Sequence, residues 1–163
     1  MLPTWITGLL DRHGVHYEHL HSPEGFTLES LATDEYGSRQ SAAEVVIAMA
    51  DGRLLELVVP SVSWVDLNKV REMVGRQSVR FATEEEVREH YARCEPGAVP
   101  ALRRPADSDV LMDSWVDVNS NVIFLAGSQH DAIRMPMQEW LEMVNPRIGS
   151  FSQPIEEPAS TTT

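Results

Sequence analysis

The hydrophobic pattern is densest between Ala42 and Pro60, where two apolar runs, Glu44 to Ala50 and Arg53 to Val59, flank Asp51-Gly52. A two-residue Asp-Gly linker between apolar runs is a strong hairpin signal, because both turn residues must tolerate positive φ. Pairing across that turn sets Met49 opposite Leu54, Ile47 opposite Glu56 and Val45 opposite Val58. Both faces are then largely apolar, which predicts a ribbon at the centre of a sheet covered on each side. Burial there contributes about 25 cal/mol per Å² of apolar surface.

The flanking segments change period. Helical spacing from Thr4 to His13 carries Trp5, Ile6, Leu9 and Leu10, with Gly14 placed as a left-handed cap. Val15 to Leu20 alternates as a half-exposed strand. Thr27 is a fitting N-cap for a helix through Leu28, Leu31 and Ala32 that ends near Gly37. Asp66 caps a helix with Leu67, Val70 and Val74 on one face and Gly75 at its end. A short strand at Ser78 to Phe81 leads to the capping box Thr83-Glu84-Glu85-Glu86 and a helix to about Tyr91. Cys94 to Ala106, with Gly97, Pro96, Pro100 and Pro105, predicts an irregular loop. Strands follow at Val110 to Met112, Val122 to Leu125 and Ala132 to Met135. A last helix, with Pro136 in its first turn and a Trp140, Leu141, Val144 stripe, stops at Asn145-Pro146. The pattern describes one α+β domain, residues 1–148, with a mixed β-sheet flanked by helices. The Ser-, Thr-, Pro- and Glu-rich segment 149–163 predicts a disordered tail.

Composition narrows the possibilities. At 163 residues one domain with a proper core is expected, and no apolar run is long enough for a membrane helix. The start, Met1-Leu2-Pro3-Thr4, lacks a secretory pattern, so a cytoplasmic location is expected. The single cysteine, Cys94, excludes an intramolecular disulfide and a multi-cysteine zinc site. Net charge is −12, so the whole molecule repels polyanions and any contact with nucleic acid must be local; DNA is not an expected partner. Of thirteen basic side chains only Lys69 is a lysine.

There is no Gly-rich phosphate loop, no metal-ligand spacing and no nucleophile elbow, so neither cofactor nor metal is expected. Cys94 fits a small packing residue better than a nucleophile, since nothing nearby supplies a base. Ser128 suits a hydrogen-bond donor. Gly97 and Gly127 fit turns needing positive φ and also points of close backbone approach to a ligand. His13, His16, His19 and His90 fit surface or capping roles.

The order of several short motifs carries a resemblance. They are His13 to Glu18, His21 with Thr27, the central ribbon, Val65-Asp66-Leu67-Asn68-Lys69, Cys94-Glu95-Pro96-Gly97-Ala98-Val99-Pro100, and Val122 to Gly127 followed by Ile133-Arg134-Met135. Over Leu9 to Asn145 the set resembles the YbaK-type family of aminoacyl-tRNA editing domains, related to the editing insertion of bacterial prolyl-tRNA synthetase. The resemblance implies hydrolysis of the ester of a mischarged tRNA, in trans, with an aminoacyl-tRNA and an aminoacyl-tRNA synthetase as expected partners. It implies a pocket rimmed by Gly97, Ala98, Val99 and Pro100 and by Gly127, Ser128 and His130, with His21 and Thr27 near it and the ribbon as its floor.

One departure stands out. Editing members usually carry a lysine in an Ala-Lys-(Thr/Val)-Val-Val pattern, and here Ala42-Ala43-Glu44-Val45-Val46 puts Ala43 at the lysine position. Shifting by one residue brings in Glu44, of opposite charge and expected on the other face of the strand. The resemblance therefore supports two readings, a deacylase or a binding module that keeps the pocket without hydrolysis. A partner-binding accessory protein is a third. Arg39, Arg103, Arg104 and Arg134 at the pocket mouth would favour tRNA, whereas acidic lining would favour a different ligand.

Overall fold

A computed structural model describes residues 2–33, 41–76, 78–102, 108–114 and 119–155. The central ribbon is β2 (Ala43–Ala50) and β3 (Arg53–Pro60), paired in the register expected from the Asp51-Gly52 turn. Asp51 and Gly52 have φ of 50° and 83°, as the turn requires. In chain order the other elements are α1 (Thr4–Arg12), β1 (Glu18–His21), α2 (Leu28–Leu31), β4 (Ser63–Val65), α3 (Leu67–Val74), β5 (Val79–Phe81) and α4 (Glu84–His90). They are followed by β6 (Asp109–Asp113), β7 (Asn121–Leu125), β8 (Asp131–Pro136), α5 (Met137–Val144), β9 (Arg147–Gly149) and β10 (Ser152–Pro154).

The mixed sheet has the order β5-β2-β3-β6-β9, with β6 parallel to both β3 and β9. Alternation along β3 sends Leu54 and Val58 into one core, with Ile6, Leu10, Trp140 and Phe124. Leu55, Leu57 and Val59 enter a second core, with Val70, Leu111 and Phe151. The ribbon is thus covered on both faces, as its double apolar pattern demands. Glu56 is the exception: fully buried, it accepts a hydrogen bond from Ser108 Oγ at 3.2 Å. An antiparallel sheet of order β1-β8-β7 meets the ribbon at the Ala42–Ile123 bridge, and β4 pairs with β10. No helix among the described residues is long and apolar enough to cross a membrane.

Local signals account for most boundaries. Asp66 caps α3 by accepting the Asn68 N–H, and Gly75 ends it at φ 66°. Thr83 caps α4 through a reciprocal box with Glu86, whose carboxylate is also gripped by Arg80 at 2.7 and 2.8 Å. Thr83→Ala should cost about 1 kcal/mol of stability by chemical denaturation, the usual loss for an N-cap hydroxyl.

Several expectations need correction. On α1 the fully buried face is Ile6 and Leu10, with Trp5 and Leu9 only half-buried. The helix capped by Thr27 stops at Leu31, where Thr33 Oγ1 donates to the Ser30 carbonyl; Gly37 lies outside the described residues. Pro136 is the N-cap of α5 rather than a first-turn residue. Gly149 to Ile155 is not a loose tail: Phe151 is fully buried, and β10 pairs with β4. The expectation of disorder beyond Ile155 falls on residues outside the described ones.

Candidate functional site

The three residues of β5 pair with only the last three of β2, Ala48 to Ala50. The final contact on that side is the Ala82 N–H donated to the Ile47 carbonyl at 2.9 Å. Beyond it, Glu44 to Val46 has no strand partner on that side among the described residues, an open edge. In a ribbon closed by a two-residue turn the Ala50–Arg53 pair is hydrogen bonded and the pattern alternates. Val45 therefore turns its N–H and C=O away from β3, toward that edge.

A cavity of about 560 Å³ occupies the gap, within the roughly 300–1,000 Å³ range of ligand sites. Its walls are Phe26, Thr27 and Leu28 before and within α2, Glu44 to Ile47 of β2, and Val87 of α4. Phe81, Ala82, Pro96, Gly97, Leu125 and Gln129 also border the cavity. Because the edge is open, side chains from both faces of β2 border the space. This is why Glu44 reaches it although it points to the opposite layer from Ala43 and Val45. Ala43 is packed in the core, 2 % exposed, and does not line the cavity.

The lining is acidic. Glu29, Glu44 and Glu84 border the cavity, and among the described lining residues there is no arginine, lysine or histidine. Glu44 is half-buried. Burial pushes its carboxyl up to about 7, helped by the negative charge of Glu29 and opposed by hydrogen bonds from the Val62 and Ser63 backbone. A carboxyl poised near neutrality in a cavity is a candidate acid–base group. Lys69 is exposed on α3. Arg134 forms two 3.0 Å hydrogen bonds to Glu18 across the β1–β8 pair, and Arg39, Arg103 and Arg104 lie outside the described residues.

Of the residues that the sequence singled out, Thr27 and Gly97 line the cavity. Ala98, Val99 and Pro100 are buried behind it. Gly127 is bound to that loop, since its N–H donates to Ala98 O at 2.7 Å and its carbonyl accepts from Glu95 N at 2.9 Å. The two glycine segments therefore stand side by side. Gly127, at φ 98°, needs a glycine, whereas Gly97 does not have positive φ and a Cβ there would meet nothing within 4 Å. Gly127→Ala should lose about 1–2 kcal/mol through its positive φ alone, read as a lower unfolding midpoint, and its Cβ would also come 2.9 Å from Pro3 Cδ. Cys94 is buried, as a packing residue would be.

His21, Ser128 and His130 form a separate group beside the cavity. His130 Nδ1–H donates to Ser22 O at 2.9 Å, and its ring centroid is 6.4 Å from that of His21. Sequence reasoning missed Asp131, at the centre of this group, and Glu44. The signal for Glu44 was a carboxylate in an otherwise apolar strand.

Comparisons with solved structures give the fold. The hypothetical protein APE2540 superposes with a TM-score of 0.79 at 19% identity, over 91% of this chain and 99% of the other. A proposed trans-editing enzyme for prolyl tRNA synthetase gives 0.78 at 19% identity, over 91% and 94%. A proposed signal transduction protein from Marinobacter aquaeolei gives 0.66 at 15% identity, over 93% of this chain but 31% of that longer one. No curated protein sequence matches significantly. The family model described as "Aminoacyl-tRNA editing domain" matches residues 22–143, which include the whole described lining of the cavity, and this chain belongs to that family.

Proposed function

We propose that the protein is a cytoplasmic trans-editing deacylase, which hydrolyses the ester between a wrongly attached amino acid and the 3′ end of a tRNA released by a synthetase. The observation that carries this reading is Glu44, a carboxyl pushed up to about 7 at an open strand edge inside the cavity. Above that pH its carboxylate takes a proton from a water molecule as the water attacks the ester carbonyl. The Val45 N–H, directed to the same edge, receives the developing oxyanion. The proton then passes to the departing ribose oxygen, leaving a free amino acid and an uncharged tRNA. An aminoacyl ester is already activated, so positioning and polarisation suffice without a covalent nucleophile. Glu29, Glu44 and Glu84 also suit the ammonium group that every aminoacyl ester carries.

A second reading, a binding module without hydrolysis, is favoured by Ala43 at the lysine position and by a described cavity lining that has no cation to hold a phosphate. Incubation of the protein with a panel of mischarged tRNAs separates the two. Accelerated release of at least one amino acid is expected, and ester half-lives equal to the buffer blank for every pair would remove the enzyme.

A further inference from the structure

We propose that His19, His21 and Asp131 form a binding site for a divalent transition metal of the zinc class, beside the cavity and distinct from it. Strand alternation puts His19 and His21 on one face of β1 with a single residue between them. The antiparallel register sets Asp131 of β8 directly opposite His21. The Asp131 Oδ1 atom lies 2.7 Å from His19 Nε2 and 3.0 Å from His21 Nδ1, and the three donor atoms are all within 4.8 Å of one another. A tetrahedral zinc with bonds of roughly 2.0–2.1 Å holds its ligand atoms about 3.3 Å apart, so small side-chain rotations convert one arrangement into the other. Among the described residues no other trio of His, Cys, Asp or Glu meets this spacing.

The surroundings fit such a centre. Asp131 is 3 % exposed, and its second oxygen is fixed by Ser128 Oγ, which donates to Oδ2 at 2.9 Å. A ligating carboxylate held by an outer hydrogen bond is the usual arrangement around bound metal. The two imidazoles are 36 % and 55 % exposed at the side chain, leaving the solvent side open for a water or an exogenous ligand in the fourth position. Two imidazole nitrogens and one carboxylate oxygen select zinc, cobalt, nickel or copper over magnesium and calcium. His130 is turned to the Ser22 carbonyl and is not part of the trio. Metal bound here clips the edge strand β1 to the start of β8, just past Gln129, a residue of the cavity wall.

The site is tested on the full chain without an affinity tag, by calorimetric titration with zinc and by the visible d–d absorption of added cobalt. One ion per chain and a four-coordinate cobalt spectrum are expected. His19→Ala and His21→Ala should each weaken zinc binding roughly a hundredfold, and Ser128→Ala roughly tenfold, the range for a group that orients a ligand. His16→Ala, which touches only the Glu139 pair, should change nothing. Circular dichroism without metal establishes that the variants are folded. If the unmodified protein fails to bind one zinc saturably, or if both folded histidine variants bind it as tightly as the parent, the site does not exist. Neither result depends on deacylation, so failure here leaves the editing proposal standing.

Discussion

Glu44→Gln should slow any deacylation by roughly 10²–10⁴-fold, the range for loss of a positioned general base, while leaving the cavity shape unchanged. Any deacylation by the parent protein should speed up as pH rises through about 7, and the residual rate of the variant should lack that step. The same residue marks the stability curve with a definite sign. Its carboxyl titrates at about 7 in the folded protein against an ordinary 4.5, so the folded state holds the proton more tightly. The resulting stabilisation is complete below about pH 4.5 and is lost as pH rises through 7, on the order of 3 kcal/mol. Denaturant titrations of parent and variant from pH 4 to 8 measure it. Identical pH dependence of both rate and stability in the two proteins would show that Glu44 is neither strained nor catalytic.

Phe151→Ala should be the most destabilising single change at the C-terminal end, at about 3–5 kcal/mol. For a chain of this size that corresponds to a thermal midpoint lower by roughly 6–20 °C. Phe151 is fully buried against Leu55, Leu57, Val70 and Leu111 on the far face of the ribbon. Its backbone is held as firmly as its ring. Its N–H donates to Asp113 Oδ2 at 2.9 Å, the Ser152 N–H to the same oxygen at 2.8 Å, and its carbonyl accepts from Asp66 N at 2.8 Å. The segment thus ties β6 to the cap of α3, and removal of residues 150–163 should be worse still. A midpoint within a degree or two of the parent would contradict this.

How legible these features were in the sequence depended on distance along the chain. The ribbon register followed from two turn residues, and the caps of α3 and α4 from Asp66, Thr83 and Glu86, because each signal acts within a few positions. The C-terminal strands were hidden because composition around Phe151 looks disordered, and what anchors it comes from far along the chain, Asp113 being 38 positions away. The place of Glu44 at the cavity was hidden for a different reason. Alternation assigns it to a face, but alternation says nothing about a strand whose edge has no partner among the described residues. The His19, His21 and Asp131 group was invisible as a spacing because β8 contributes its carboxylate from 110 positions beyond His21.

The capping box at Thr83 does more than begin α4. By turning the chain into a helix straight after Ala82, it prevents β5 from zipping onward along the ribbon, and the hollow survives only because that zipping is interrupted. Two or three further β-forming residues inserted ahead of Thr83 would let the backbone of β2 satisfy itself against the chain's own neighbour. Such a protein would be sturdier and sealed, with the doorway to Val45 shut.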